Sequence, residues 1–119
     1  MRVISWLSLL TSIVFVLAGC GDKRKDSTVT NTQAFANSPV EVSQAWEKAL
    51  QAEKSNDYVT AETSLYWLTR QSLTPDQKQA VDHQLTTVNT RLTEALEKGD
   101  PAARAALQEL RNNPPNRQR

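Results

Sequence analysis

The stretch Ser38–Leu68, SPVEVSQAWEKALQAEKSNDYVTAETSLYWL, decides the fold. Ser38 is a suitable N-cap, Pro39 fits a first helical position, and Glu41 completes a capping box. Val42, Ala45, Trp46, Ala49 and Ala52 then recur on one helical face, so a helix is expected to about Lys54. Ser55-Asn56-Asp57 breaks the period with turn-forming residues and caps a second helix from Tyr58 to about Gln71, its face marked by Tyr58, Ala61, Leu65 and Leu68. Two amphipathic helices joined by a short turn make a helical hairpin.

Further on, Thr74-Pro75-Asp76-Gln77 repeats the cap, proline and box signature and opens a long third helix to about Lys98. Gly99 is placed to close it in the left-handed conformation. Asp100-Pro101 starts a fourth helix, with Ala103, Ala106, Leu107 and Leu110 on its face. Two prolines in NNPPNRQR, Asn112–Arg119, prevent its continuation, and 113–119 are expected to form a disordered basic tail. No segment alternates as a strand would. The expected fold is all-α: two antiparallel helical hairpins over residues 39–112, four helices in all.

The second hairpin echoes the first. Val42, Ala45, Ala49, Ala52 and Asp57 recur at one constant offset as Leu85, Val88, Leu92, Ala95 and Asp100. With one residue dropped, Ala61, Leu65 and Leu68 fall on Ala103, Leu107 and Leu110. The tryptophan in the first helix, Asp57-Tyr58 at the turn and Ala61 after it resemble a tetratricopeptide repeat. Leu50 and Asn56 stand where that family has glycine, the turn carries an extra residue, and the second hairpin lacks the aromatic signature. The expectation is a tetratricopeptide-like pair or a small bundle.

Working back toward the N-terminus, Asp22–Asn37 is polar and aperiodic and reads as a flexible tether over 20–38. Fully extended, it spans about 60 Å. Before it come the basic start Met1-Arg2, a mostly apolar run over Val3–Ala18 interrupted by hydroxyls, and small residues ahead of Cys20. That order describes a secretory signal peptide over 1–19 rather than a membrane span, which needs about 20 apolar residues. Leu17-Ala18-Gly19-Cys20 resembles the bacterial lipobox. The resemblance implies cleavage between Gly19 and Cys20 and lipidation of Cys20, a covalent palmitate-type anchor in place of any cofactor. Each buried methylene contributes about 0.8 kcal/mol, so several chains on one residue hold the protein permanently. Gly21, not aspartate, follows the cysteine, which implies the outer membrane where the organism has one. Lys23, Arg24 and Lys25 beside the anchor suit anionic headgroups, partly offset by Asp22 and Asp26, or belong to a solvated spacer; Arg117 and Arg119 at the tail fit either a docking or a structural role.

Composition excludes several functions. The 119 residues carry 14 basic and 13 acidic side chains, and Arg2 is the only charge before Cys20, so the remainder is balanced. Nothing in that balance favours nucleic acid. A single cysteine and a single histidine, His83, which lies off the apolar stripe of its helix, leave no metal-ligand set. Gly99 is the only glycine beyond Gly21, so phosphate-cradling loops are absent. Asp76 with Asp82, and Glu94 with Glu97, read as a helix start and a solvated face. The row Thr86, Thr87, Thr90 and Thr93 reads as a wetted surface. No small-molecule substrate and no catalysis are expected.

Aromatic residues are the remaining candidates. Trp67 points nearly opposite to Leu65 and Leu68 on the second helix, with Tyr66 beside it, and Trp and Tyr dominate interface hot spots. In a tetratricopeptide-like hairpin the first helix lines the concave side, which implies Trp46 and Leu50 as further contacts. Core packing is the competing account of Trp46 and Trp67. Only about 18 bulky apolar residues follow Pro39, a small core. The expected role is a lipid-anchored envelope protein that docks another protein, or alternatively a structural surface lipoprotein that self-associates.

Overall fold

The computed structural model describes residues 32–117. They form an all-α chain of four helices: α1 (Val40–Lys54), α2 (Tyr58–Thr69), α3 (Pro75–Glu97) and α4 (Pro101–Asn112), followed by a 3-10 turn at Pro115–Arg117. Among the described residues there is no strand. The expected signal peptide over 1–19, Cys20 and the expected tether up to residue 31 lie outside them.

Local chemistry sets most of the boundaries. The α1–α2 turn closes with Asn56 at φ 59°, a left-handed conformation that asparagine tolerates. The Asp57 N–H returns to the Ala52 carbonyl at 2.8 Å. Asp57 Oδ1 then accepts from the Thr60 N–H and caps α2. At the head of α3 the full capping box is present: Thr74 Oγ1 accepts from Gln77 N–H, and Gln77 Oε1 accepts from Thr74 N–H. Gly99, at φ 76°, closes α3 as its backbone freedom allows, and Asp100 Oδ1 caps α4 through Ala102 N–H.

Helix α2 is the centre of the packing, touching α1, α3, α4 and the 3-10 turn. Ala61, Leu65 and Leu68 on α2 are wholly buried, as are Ala49 of α1, Val81 of α3 and Ala103 of α4. Alanine at 49, 52 and 61 lets the hairpin helices approach closely, and Leu65 and Leu68 supply most of the apolar volume between them. α3 also reaches the end of α1 through polar groups. Arg91 Nη1 donates to Glu53 Oε1 at 3.0 Å, Arg91 Nη2 donates to Asn56 Oδ1 at 3.2 Å, and the buried Gln84 amide donates to Glu53 Oε2.

Four expectations need correcting. Ser38 does not cap α1. The N-cap is Pro39, whose carbonyl accepts from Val42 and Ser43 N–H, and no side chain caps it. The Ser38 hydroxyl instead accepts from Gln77 Nε2 at 2.6 Å. α2 ends at Thr69 rather than Gln71, as the Arg70 and Gln71 N–H groups turn back onto the Trp67 and Leu68 carbonyls.

The third correction concerns the expected tether over 20–38: its described part, 32–38, is packed on the helices. Phe35 is 2% exposed and its ring stacks on Trp46, centroids 4.5 Å apart and planes within 15°. Gln77 Nε2 fixes the same segment by donating to the Ala34 carbonyl at 2.9 Å. Among the described residues the fold therefore begins before Pro39, with helical Thr32–Gln33 and the turn over 34–38. The fourth correction is at the other end: residues 113–117 are folded. Pro115 is buried, and the Arg70 guanidinium donates to its carbonyl, so the first part of the tail doubles back onto the C-terminal end of α2.

Candidate docking surface on the second helix

Of the four aromatic and apolar candidates, Trp46 is not a surface residue. It is 1% exposed beneath Phe35, and in this arrangement it can only act as core. Its Nε1–H is buried and, among the described residues, has no acceptor. Leu50 and Tyr66 are half-buried, Leu50 packing against the edge of the core.

Trp67 is different. At about 100° per residue it lies on the opposite side of α2 from Leu65 and Leu68, and it is 37% exposed. Among the described residues the other exposed large apolar side chain is Val40, at the start of α1. The backbone beneath Trp67 is well held. Its carbonyl accepts from Arg70 N–H at 3.1 Å and from Gln71 Nε2 at 3.3 Å, while Thr69 Oγ1 donates to the Tyr66 carbonyl at 2.7 Å. A large aromatic on a fixed helix end loses little freedom on binding, and that suits it to anchor a contact.

One further polar group on α2 stands out. Glu62 is buried on the inner part of α2. Desolvation raises its pKa above the ordinary carboxylate value. Its position next to Ala61 carries no sequence signal, since Ala-Glu is ordinary in a helix. Phe35 escapes a sequence reading for a related reason: a lone aromatic in a polar stretch does not form a period. Gln77, legible as a capping residue, is also the clamp on the N-terminal turn.

The remaining polar candidates are held by their own helix. Thr86, Thr87, Thr90 and Thr93 each donate to the carbonyl four residues earlier. Thr86, Thr90 and Thr93 line an open depression with Asn89, Glu94 and Glu97, with no enclosed volume to exclude water. His83 is exposed. Among the described residues no three His, Cys, Asp or Glu side chains gather as a metal site, and no helix is long and apolar enough to cross a membrane. No family model, curated protein or solved structure matches the chain.

Proposed function

We propose that the protein is a lipid-anchored, non-catalytic docking module of a bacterial cell envelope. The observation that carries the docking role is Trp67, an exposed tryptophan on a rigid helix end with Tyr66 half-buried beside it. A tryptophan left partly in water keeps apolar area that a partner can cover, and such residues carry a large share of interface energy. Leu50 extends the apolar edge of α1, and Trp46 supports the hairpin from within rather than touching a partner.

The anchor rests on Leu17-Ala18-Gly19-Cys20 behind a basic start and an apolar run. A thiolate is a strong nucleophile for taking up a lipid group, and Gly21 after the cysteine favours outer-membrane sorting. The paired hairpins keep a tetratricopeptide-like arrangement in this reading, a scaffold suited to holding proteins rather than to chemistry.

Two measurements test the two halves separately. Mass spectrometry of the membrane-extracted protein is expected to find residues 1–19 removed and Cys20 acylated; an uncut leader with a bare thiol overturns the anchor. Crosslinking in the native membrane is expected to capture a neighbouring protein that Trp67→Ala loses while helicity is kept. Unchanged capture by Trp67→Ala overturns the docking surface.

A further inference from the structure

Residues 32–38 sit on the helices much as a short peptide ligand would. Phe35 supplies a ring that stacks on Trp46, and the Ala34 carbonyl and Ser38 hydroxyl both accept from the Gln77 side-chain amide. An aromatic slot beside a bidentate amide donor is a recognition site for a short turn-forming segment, here filled by the chain's own.

The joint between this strap and the helices is weak. Thr32 and Gln33 are helical, and three main-chain bonds beyond them lie within the segment: Phe35 N–H to Thr32, Ala36 N–H to Gln33 and Ser38 N–H to Phe35. Those of α1 begin at the Pro39 carbonyl. Among the described residues no main-chain hydrogen bond spans Ser38–Pro39, and Pro39 is extended with no N–H to donate. The strap gives Trp46 Nε1–H no acceptor: that atom is buried without one among the described residues. The strap is therefore fastened to the helices through side-chain groups and hinged at a proline.

We propose that the Thr32–Ser38 strap exchanges between molecules, seating Phe35 of one copy over Trp46 of a second, so that this slot is a self-association surface. The occupant is a second copy because its strap carries the one sequence the structure shows to fit. Exchange re-forms the same stack and the same Gln77 bonds, so the dimer restores whatever opening breaks. Copies held on one membrane would present strap and slot at the same height, but exchange does not depend on the anchor.

The test uses the full chain in detergent with micelles in large excess. Sedimentation is expected to show a slowly exchanging dimer, reduced at least tenfold by Phe35→Ala and unchanged by Trp67→Ala. In a dimer mixed from isotope-labelled and unlabelled chains, a filtered NOE is expected between the Phe35 ring of one copy and the Trp46 indole of the other. The NOE measurement needs no substitution and remains decisive even where Phe35→Ala loses helicity. A chain monomeric at every concentration, a dimer insensitive to Phe35→Ala, or a dimer whose Phe35–Trp46 NOEs stay within one copy overturns the proposal.

Discussion

Arg91 on α3 reaches back to Glu53 at the end of α1, Nη1 to Oε1 at 3.0 Å, and the two differ in how far water reaches them. The Arg91 side chain is 40% exposed and that of Glu53 16%. Glu53 also accepts from the buried Gln84 amide. The two partners are therefore unequal in what their removal leaves behind.

Arg91→Ala is expected to cost no more than about 1 kcal/mol, since a half-exposed pair is screened by solvent. Glu53→Ala is expected to cost about 1–2 kcal/mol more, because it strands the Gln84 amide donor in the interior. Urea unfolding of the two variants checks the order. Equal losses would mean that the Gln84–Glu53 bond contributes nothing.

Phe35→Ala removes a ring from the core at a position that looks like linker. Large-to-small changes of this kind cost about 3 kcal/mol or more, a large part of the stability of a small domain. Ala36→Ser, one residue on and exposed, is expected to be near neutral. Thermal unfolding by circular dichroism distinguishes the two; a Phe35→Ala variant that melts like the parent would remove Phe35 from the core.

Gly99 sits at φ 76°. A Cβ there would meet only the Arg104 guanidinium at 3.7 Å, an ordinary contact. The cost of Gly99→Ala is therefore backbone strain without a clash, about 1 kcal/mol. Gly99→Asn, which tolerates the left-handed region, is expected to lose less than Gly99→Ala in the same denaturation series.

These positions also show where the sequence can be read and where it cannot. Thr74 with Gln77, Gly99, and Asp100-Pro101 are legible because each boundary is a matter of neighbours a few residues apart. Ser38 carries the same local signature and misleads, because Gln77 on a distant helix takes its hydroxyl. Phe35 and Pro115 look like parts of flexible ends, since polar or proline-rich surroundings hide a single core residue; only the tertiary packing reveals them. Trp46 is stacked by Phe35 from outside its own helix, a contact that the period of α1 does not show. Trp67 is the more legible of the two, its angle on α2 setting it away from Leu65 and Leu68.

Glu62 gives the chain a pH dependence of a particular sign. Burial holds its folded pKa above the ordinary carboxylate value of 4.5, and among the described residues no cation offsets that. Between the unfolded and folded pKa values the native state binds the proton more tightly, so stability falls as pH rises through that window. Below it the carboxyl is neutral in both states and costs least; above it the charge is held where desolvation penalises it. Glu62→Gln keeps shape and neutrality. It is expected to raise the melting temperature near pH 7 and to converge with the parent as pH drops below 4.5. Other carboxylates titrate over the same range, so the difference between parent and variant is the quantity to follow. A difference that is independent of pH from about 3 to 8 would show that Glu62 reaches water in the folded state.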